Sequence, residues 1–585
     1  MCPMIEHLRA AWNEITAPGG GFSMSDIEVR GIPMRVFDSA PPNMRALWEL
    51  ASLHGDKPYV VYEDEHYTYA DIAGQVRALA HLLRNTHGVG SGDRVALAMR
   101  NYPEWVVGYW ATASIGAAVV GMNAWWTTPE MEYGLSDSRS KVLIVDDERL
   151  ERVLPVLDGL RETAPLHVIS VRTDRELPAD ASRWTDVVVP ADAPAGLPEA
   201  DIDPDDDVTI FYTSGTTGYP KGAQLTHRGS VHNILNLIFW TVVTATADGK
   251  AVAAGELPAP PPADPDAAPA APVFMAPTPL FHVTACNCIL HPCTLAGGTI
   301  VLMYKWDAGR ALELIERERA TNFSGVPSMS REMLNHPDWA KRDTSSLKSL
   351  GGGGAPLQPD LVQKIDKSLH DQGGAPVTGY GLTETHGIVS ANASRYYLAK
   401  PSSAGPVVPT LDAKLVDEEG NDLPPGPDTV GQLCVRGAVV IKGYLNRPEA
   451  TAEAIVDGWF NTGDVARIDE DGFLYIVDRA KDMVLRGGEN IYSSEVEAAI
   501  HQSDEVAEAA VFGIPDDRLG EAVAAVIVRR PGSTLTAEAL QAFVGERIAK
   551  HKIPTTIWFR DEPLPRNANG KFLKRQLRSE LVPAD

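Results

Sequence analysis

The ten residues Thr213–Gly222 constrain this chain more than any other stretch. They read TSGTTGYPKG, with three glycines, four Ser or Thr hydroxyls, one proline and one lysine, and they follow a short β-like run, Val208–Tyr212. Glycines let the backbone turn tightly and approach a ligand closely. Free N–H groups and hydroxyls can surround phosphate oxygens, and Lys221 adds a positive charge. The sequence therefore favours a polyphosphate site over a plain polar hairpin loop.

This loop is not a Walker A motif, although Gly215 and Lys221 have the spacing of one. Pro220 stands where the second glycine of that motif belongs, and Gly222 follows the lysine where the motif has Ser or Thr. A different kind of phosphate loop is therefore expected.

Length and composition indicate the class of protein. A chain of 585 residues exceeds what one hydrophobic core usually holds, so two or more domains are expected. Its content of 44% hydrophobic and 22% charged residues is typical of a soluble globular protein. The net charge of −26 argues against nucleic acid and anionic membrane surfaces as main partners.

The cysteines bear on the cellular compartment. There are five, an odd and sparse set, which favours reduced thiols and a cytoplasmic protein. The first residues, MCPMIEHLRAAW, have no basic region followed by an apolar core, so no secretory signal is expected. A zinc site is an alternative for one cluster, but its C-x-C-x₄-C spacing has no second pair nearby, and no metal is expected there. The cluster consists of His282, Cys286, Cys288, His291 and Cys293.

One uncharged stretch, Trp105–Met122, is about long enough to span a membrane. It is rich in Ala, Gly, Ser and Thr, and a charge-free run can equally be a buried helix followed by a buried parallel strand. We expect the second arrangement, with a helix at Glu104–Ile115 and a strand at Ala117–Met122, and no transmembrane segment. Similar alternation elsewhere predicts a doubly wound parallel sheet.

Two segments stand apart from this α/β pattern. Residues 1–41 are interpreted as an N-terminal extension. Thr244–Pro272 is mostly Ala, Pro, Asp and Gly, a composition that cannot bury enough apolar surface to fold. We expect it to be a disordered surface insertion, with a docking arm as the alternative.

Five further segments also combine glycine with polar or charged residues. Ser349–Pro356 has four consecutive glycines, which permit close approach to a flat ligand. Val377–Thr385 reads VTGYGLTET, Gly458–Asp464 reads GWFNTGD, Asp478–Asn490 reads DRAKDMVLRGGEN, and Pro563–Lys571 reads PLPRNANGK. Taken singly, they are compatible with a glycine hinge, capped turns and an exposed lysine loop.

In this order, and after the glycine-rich loop, the five segments resemble the signatures of the adenylate-forming superfamily. This superfamily contains acyl-CoA synthetases, aryl-CoA ligases, firefly-luciferase-like enzymes and peptide-synthetase adenylation domains, and the resemblance, over roughly residues 42–578, is strongest to fatty acyl-CoA synthetases. It implies an α/β fold with a large N-terminal adenylation domain at 42–478, built of doubly wound sheets and a β-rich subdomain. A small mobile α+β C-terminal domain would follow at 479–585, and ATP, Mg²⁺ and CoA are the implied small molecules.

The resemblance also implies which residues bind nucleotide or CoA. They are Thr213, Ser214, Gly215, Thr216, Thr217, Gly218 and Lys221 in the first loop, Gly353, Gly354, Ala355 and Pro356 along the adenine, Gly379, Tyr380, Gly381 and Thr383 in the next segment, Asp464 and Arg479 at the ribose, Lys481 at the hinge, and Arg486, Gly487, Gly488, Glu489 and Asn490 in a loop that enters for a second step. Tyr380 would stack on adenine and Thr383 would touch a phosphate. Asp464, which as a carboxylate only accepts hydrogen bonds, would bind both ribose hydroxyls.

Four residues are implied to take part in the chemistry: Lys571, His282, Thr216 and Glu384. A carboxylate would attack the α-phosphate of ATP, giving an acyl-adenylate and pyrophosphate. Because two anions must meet, positioning and fixed positive charge are the catalysis required. Lys571 would bridge carboxylate and phosphate, and His282 would lie near the carboxyl end of the acid. Glu384 and Thr216 would hold Mg²⁺, which prefers oxygen ligands. A lone Glu or Lys outside these signatures would more often be simply solvated.

The same resemblance implies a second step. The C-terminal domain would rotate about Lys481, withdraw Lys571 and bring the Arg486–Asn490 loop into the site. A CoA thiolate would then attack the adenylate carbonyl, so that domain closure gates the reaction.

The residues around His282 bear on the class of acid. In adenylation domains for α-amino acids, an Asp follows the Phe of this segment and binds the amine, whereas here His282 follows Phe281. The residues after His282 are apolar and small, so we expect an apolar medium- or long-chain acid, fatty or fatty-like. Trp125, Trp126 and Trp240 add aromatic surface. Aryl, terpenoid and steroid-side-chain acids remain alternatives.

Two further functions use the same fold. An acyl-AMP ligase would deliver the adenylate to a carrier protein, and dependence of turnover on CoA separates it from a synthetase. A non-catalytic nucleotide sensor would lack catalytic groups, but Lys221, Glu384, Asp464, Arg479 and Lys571 are all present. The expected partners are small molecules, and a homodimer is left open.

Overall fold

The computed structural model describes residues 3–213, 219–259, 271–355, 357–424, 426–486, 489–516, 518–567 and 570–582. Residues 260–270 of the predicted insertion lie outside these ranges. So do several predicted site residues, namely Ser214, Gly215, Thr216, Thr217, Gly218, Pro356, Gly487 and Gly488.

A first sheet forms the early part of the large domain. Within the described residues it has seven strands, in the spatial order Lys221–Thr226, Asp207–Thr213, Ala118–Gly121, Arg94–Ala98, Val142–Asp146, His167–Val171 and Ala181–Arg183. Neighbouring strands are parallel except for the first pair, which is antiparallel. The central strands are runs of Val, Ile, Leu and Ala that are buried on both faces, as parallel strands covered by helices must be.

A second sheet completes the α/β part. Among the described residues it has eight strands, in the order Ser390–Ala393, Ala375–Tyr380, Ser349–Gly352, Asn322–Gly325, Val273–Ala276, Thr299–Leu302, Pro58–Tyr62 and Glu65–Thr68. The inner pairs are parallel and the two edge pairs are antiparallel. One face packs on helices through Phe323 and Leu350, which leaves the opposite face for a cavity.

Helices connect the strands and cover both sheets. In the large domain they span Pro3–Thr16, Met44–Ser52, Tyr69–His81, Pro103–Ser114, Thr128–Ser138, Asp147–Val153, Leu157–Thr163, Trp184–Val187, His227–Ala253, Val283–Ala285, His291–Leu295, Ala308–Glu318, Pro327–Asn335, Pro359–Leu369, Ser394–Ala399 and Pro448–Ala454. A π-helical turn, Cys286–Leu290, joins two of them into one apolar helix, Val283–Leu295. The alternation of strands and helices confirms the predicted doubly wound α/β fold.

The apolar stretch Trp105–Met122 folds as a helix followed by a strand. The helix spans Pro103–Ser114, the strand spans Ala118–Gly121, and every residue from Trp105 to Met122 is buried. Pro103 begins the helix at a position where its missing N–H costs nothing. The prediction of a buried helix and strand is confirmed. By length and composition one described helix, His227–Ala253, could cross a membrane, and 56% of its apolar window is buried inside the protein.

The prediction places the start of the insertion, Thr244, too early in the sequence. Residues 244–253 are not an irregular segment but the last turns of the His227–Ala253 helix. The N-terminal helix Pro3–Thr16 packs along it, and Trp12 meets Phe239 edge-on with ring centroids 4.6 Å apart. Composition alone did not predict this helix, because most helical stability comes from tertiary packing. A hairpin of Met24–Val29 and Ile32–Phe37 completes the N-terminal region.

A third sheet forms the β-rich subdomain. Its described strands are Gly405–Pro406, Phe473–Arg479, Trp459–Ile468, Gly431–Gly437 and Leu411–Val416, with Ile455–Val456 paired to the third of these. Trp459–Ile468 is antiparallel to Phe473–Arg479, in a register that sets Asp464 directly opposite Arg479. The pairing therefore joins two predicted ribose-binding residues.

The C-terminal domain is a small α+β unit. Its described strands are Val484–Arg486, Glu489–Ile491, Val506–Asp516, Gly520–Arg529 and Thr556–Arg560, and its helices are Ser493–Ile500, Ala537–Gly545 and Lys574–Leu581. Val506–Asp516 and Gly520–Arg529 form a long antiparallel pair over an apolar core of their own. A separate core is what a domain that moves as one body requires.

Candidate active site

A cavity of about 2670 Å³ lies between the large domain and the C-terminal domain. It opens at the carboxyl ends of parallel strands, where open α/β sheets bind their ligands. Its walls include the following predicted site residues: Thr213, Lys221, His282, Gly353, Gly354, Ala355, Gly379, Tyr380, Gly381, Thr383, Glu384, Asp464, Arg479, Lys481 and Lys571. The fold thus brings segments from distant parts of the chain to one place.

Lys571 reaches the cavity from the C-terminal domain on a tight loop. The Asn567 N–H donates to the Lys571 carbonyl oxygen at 2.9 Å, and the Lys571 N–H donates to Asn567 Oδ1 at 3.0 Å. Gly570 has φ +76°, and a Cβ atom at this position would lie 3.0 Å from Val326 Cγ2 of the large domain. The loop therefore lies directly against the large domain.

The charge of Lys571 is perturbed by its surroundings. Lys571 is an exposed residue whose ammonium lies within the cleft between the two domains. Partial desolvation in the cleft, with the like charge of Arg479, lowers the pKa of Lys571 to about 8, whereas Asp464 and Glu384 act in the opposite direction. Desolvation disfavours the charged form of a lysine. Lys571 is accordingly a cation at neutral pH that loses its proton in mildly alkaline solution.

Asp464 is held between two partners. The Tyr380 hydroxyl donates to Asp464 Oδ2 at 2.6 Å, and Arg479 Nε lies 3.2 Å from Asp464 Oδ1. Asp464 is only 3% exposed. Burial, with the carboxylate of Asp464 beside it, raises the pKa of Tyr380 well above its usual value, so the phenol stays a neutral donor. The carboxylate oxygens have remaining lone pairs that could accept hydrogen bonds from a diol.

Glu384 lies where the phosphate loop begins. Its Oε1 accepts hydrogen bonds from the Tyr444 hydroxyl at 2.9 Å and from Thr213 Oγ1 at 3.4 Å. Its Oε2 accepts none from the described residues. A carboxylate oxygen at the cavity wall is the type of ligand that Mg²⁺ prefers, so Glu384 fits this metal.

The two ends of the phosphate loop are fixed by strand pairing. Thr213 ends one strand and Lys221 begins the next, and the two are direct partners across the antiparallel pair. The Lys221 ammonium lies 5.2 Å from the centre of the Tyr444 ring. The strand pairing therefore gives the loop a rigid base, and Ser214–Gly218 lie outside the described residues.

The four-glycine segment packs backbone against backbone. Gly351 and Gly352 have φ values of +153° and +136°. A Cβ atom on Gly351 would lie 1.9 Å from Val377 O, and one on Gly352 would lie 2.0 Å from Gly325 O. Neither position admits a side chain. The following residues, Gly353 to Ala355, thereby present flat backbone to the cavity.

His282 begins the Val283–Leu295 helix and lines the cavity. Its Nε2 is buried and has no hydrogen-bond partner among the described residues. Burial lowers the pKa of His282 to about 3, so the imidazole is neutral at physiological pH. It is placed to meet a polar group of a ligand.

A side arm of the cavity runs between the Val283–Leu295 helix and the free face of the second sheet. Residues on one face of that helix line it, at spacings of three or four: Thr284, Cys288, Pro292, Leu295 and Ala296. They span 12 residue steps, or about 18 Å along the helix axis. The His227–Ala253 helix adds Leu237, Ile238 and Thr241 to the wall. The helices therefore give the arm a long wall that is mostly apolar.

The Val484–Ile491 hairpin is not at the cavity. Arg486, Glu489 and Asn490 belong to its two strands and do not line the cavity walls, and Arg486 Nη1 donates to the His551 carbonyl oxygen at 3.0 Å. Of the two predicted C-terminal loops, the structure brings in the one that carries Lys571.

Two residues of this region were not predicted from the sequence. Tyr444 holds both Glu384 and Lys221, as described above. His386 accepts a hydrogen bond at Nε2 from the Thr226 N–H at 2.9 Å and donates from Nδ1 to Val439 O at 2.8 Å. It thereby fixes the turn that carries Glu384. Their partners are distant in sequence, and no local pattern marks them.

The His and Cys cluster after Phe281 is a packed, uncharged group. Cys286 Sγ lies 3.3 Å from His291 Nε2. Burial raises the pKa of Cys286 and lowers that of His291 to about 3, so both are neutral. No group of three or more His, Cys, Asp or Glu side chains that could hold a metal is found among the described residues.

Comparison with known proteins agrees with this geometry. The family model for AMP-binding enzymes matches residues 47–445, and the model for the AMP-binding enzyme C-terminal domain matches residues 495–571. A feruloyl-CoA synthase of an Amycolatopsis species is 37% identical over 513 residues, covering 87% of this chain and 93% of that protein. A long-chain-fatty-acid–CoA ligase of Bacillus subtilis strain 168 is 32% identical over 553 residues, covering 91% and 93%.

A solved structure shares the architecture. The crystal structure of the anthranilate CoA ligase AuaEII in complex with anthranoyl-AMP matches with a TM-score of 0.79 and 26% identity, over 92% of this chain and 98% of that one. The resemblance read from the sequence motifs is confirmed. The chain belongs to the AMP-binding enzyme family of adenylate-forming enzymes, and it is an AMP-forming acid–CoA ligase.

Proposed function

We propose that the chain activates a carboxylic acid with an apolar body, fatty or fatty-like, as an acyl-adenylate and transfers it to CoA. One observation carries this proposal: Lys571 is enclosed with Glu384, Asp464 and Arg479 at the mouth of the side arm. In that position one cation can contact the carboxylate of an acid in the arm and the α-phosphate of ATP above it.

In the first step, Asp464 and Arg479 would bind the ribose, and Tyr380 would contact the adenine. Thr213 and Lys221 would hold the β- and γ-phosphates at the base of their loop. Mg²⁺ held by Glu384 would supply positive charge that offsets the triphosphate. With the neutral His282 near the carboxyl group, positioning and fixed charge bring the two anions together.

In the second step, the small domain would turn about Lys481, with the boundary between domains after Asp478. Two contacts across this boundary hold the present orientation: the Ser493 N–H donates to Asp478 Oδ2, and the Ala480 N–H donates to Gly463 O at 3.1 Å. Rotation would remove Lys571 and bring in the Arg486–Asn490 hairpin for attack by CoA.

The apolar walls and the length of the side arm favour an acid with an extended apolar body. An aryl acid is the second candidate, because the feruloyl-CoA synthase is at least as similar to this chain as the long-chain ligase is. The described cysteines form no disulfide, which supports a cytoplasmic location.

The test is AMP release from ATP with a panel of acids, each with and without CoA. The panel spans acetate, octanoate, palmitate, benzoate, coumarate and a steroid-side-chain acid. CoA-dependent AMP release with one class supports the proposal. Adenylate that accumulates with no response to CoA would instead indicate transfer to a carrier protein, and no AMP with any of these acids would contradict the proposed substrate class.

A variant tests the role of Lys571. Lys571→Ala should lose adenylation and keep ATP binding, because Asp464 and the glycine-rich segments remain. It should also convert a supplied acyl-adenylate and CoA to thioester at close to the wild-type rate. Unchanged adenylation in this variant would contradict the assigned role.

A further inference from the structure

The floor of the side arm carries a polar group of three side chains. Asn322 and Ser324 lie on one strand of the second sheet and Ser349 lies on the next, and all three line the cavity. The strands are parallel with Asn322 opposite Ser349. Because side chains alternate along a strand, Phe323 and Leu350 face the helix-covered core while the three polar residues face the arm.

Hydrogen bonding within this polar floor is incomplete. Asn322 Nδ2 donates to Ser349 Oγ at 2.9 Å, and Thr321 Oγ1 donates to Asn322 Oδ1 at 2.6 Å. The second amide N–H of Asn322 and the Ser349 hydroxyl hydrogen have no acceptor among the described residues, and the Ser324 hydroxyl has no partner there. The floor therefore offers several donors to whatever fills the arm.

The polar floor lies at a defined depth. Val326 contacts the Lys571 loop. Ser324 precedes Val326 by two residues and Asn322 precedes it by four, so their side chains lie about 7 and about 13 Å from Val326 along the strand. Apolar side chains flank the polar group on the same face of the sheet, with Phe274 and Val377 on the neighbouring strands, and Leu295 faces it from the helix. An acid in the arm would thus have its carboxyl group at Lys571, its body between apolar walls and its far end on Asn322 and Ser349.

We propose that Asn322, Ser324 and Ser349 select an acid whose end remote from the carboxyl group bears an oxygen substituent. This inference rests on the proposed acid–CoA ligase function and narrows its substrate. A bare alkyl tail or phenyl ring would displace water from the floor and leave its donors unpaired, whereas a phenolic, alkoxy or alcohol oxygen would accept their hydrogen bonds. The depth of the floor fits an aryl acid with an oxygen on the ring.

The test compares matched acids that differ in one oxygen. The values of kcat/KM for CoA-dependent AMP release are measured for 4-hydroxycinnamate against cinnamate and for 10-hydroxydecanoate against decanoate. A site built to hydrogen-bond a substrate group strongly rejects the analogue that lacks it. The wild-type enzyme should prefer the oxygenated acid of the faster pair by about tenfold or more.

Two variants locate the preference. The double variant Asn322→Leu, Ser349→Ala removes both partners of the 2.9 Å bond. It should bring the ratio of kcat/KM values to about one while turnover of the deoxy acid holds or rises. Ser324→Ala removes a hydroxyl with no partner among the described residues and should reduce the ratio even if the double variant does not fold.

The matched control is Thr299→Val, on the same sheet. The Thr299 hydroxyl donates to Pro58 O at 3.1 Å, outside the cavity. This variant should leave the ratio unchanged.

The outcomes distinguish a failure of this inference from a failure of the proposed function. Ligase activity with no preference for oxygen, or with a preference for the deoxy acid, would overturn the inference and leave the ligase function in place. An equal fall in kcat/KM for both acids in Ser324→Ala, with their ratio unchanged, would also overturn the inference. No AMP release with any acid would overturn the proposed substrate class as well.

Discussion

At the scale of single residues, the site depends on a lysine whose positive charge is only moderately stable. Partial desolvation in the cleft and the nearby charge of Arg479 both favour the neutral amine of Lys571, while Asp464 and Glu384 favour the cation. In the proposed adenylation step, Lys571 would have to be protonated to hold two anions together. Its pKa of about 8 therefore bears directly on the pH range of the first half-reaction.

We predict that the rate of adenylation falls as the pH rises through about 8, because the lowered pKa of Lys571 means that its proton is lost there. Below that pH the cation is present and this limb of the profile is flat. The measurement is kcat/KM for acid-dependent pyrophosphate release between pH 6 and 10.

Lys571→Arg is the control for this prediction. A guanidinium keeps its charge throughout that range, so the alkaline decline should disappear even if the absolute rate is lower. An identical decline in the arginine variant would assign it to another group.

At the scale of elements, the second sheet depends on glycines that let three strands meet. Gly351 and Gly352 each lie too close to a neighbouring carbonyl oxygen to carry a Cβ atom, and both have positive φ. These contacts join the Asn322–Gly325, Ser349–Gly352 and Ala375–Tyr380 strands. They also shape the backbone that faces the nucleotide.

We predict that Gly352→Ala lowers the free energy of unfolding of the large domain by about 3 kcal/mol, since both sterics and φ oppose a side chain. Urea denaturation followed by tryptophan fluorescence measures this. Gly249→Ala is the matched control, because Gly249 lies in the exposed part of a helix with open space around it. There alanine should stabilise by about 0.5–1 kcal/mol. Equal effects of the two substitutions would show that the contacts of Gly352 are unimportant.

The elements differ in how far the sequence predicts them. The buried helix and strand of Trp105–Met122 were predictable because a charge-free run of that length has few soluble arrangements. The end of the His227–Ala253 helix was not, because Trp12, in a remote helix, supports it. Most of the site residues predicted from motif order, among those that the structure describes, line the cavity. The Asn322–Ser349 pair was not predicted, because only the register of two parallel strands brings them together.

At the scale of the whole molecule, the domain orientation matches the proposed adenylation half-reaction. Lys571 faces the cavity, and the hairpin with Arg486 and Asn490 lies away from it. The half-buried Lys574 ammonium, 2.7 Å from Glu497 Oε1, ties the last helix to the body of the C-terminal domain. This contact supports the proposal that the domain moves as a unit about the turn at Lys481.

We predict that Lys481→Pro retains adenylation within about threefold and reduces CoA-dependent thioester formation at least about tenfold, because proline fixes φ at the hinge. No backbone hydrogen bond donated by Lys481 is found among the described residues, so proline at this position removes none from the present domain orientation. Pyrophosphate release and thioester formation are measured separately. Lys481→Ala, which leaves φ free, should retain both, and a parallel loss of both steps in the proline variant would contradict a hinge at this position.

The N-terminal helix has a consequence for how the protein is divided. The family model begins at residue 47, yet Pro3–Thr16 covers the outer side of the His227–Ala253 helix, whose inner side lines the side arm. A chain cut to the family boundary would expose Phe239 and Val243 as part of a contiguous apolar patch, a surface prone to aggregation. The unit that folds is therefore larger than the segment that the family model matches, and part of the outer support of the cavity lies in sequence outside that segment.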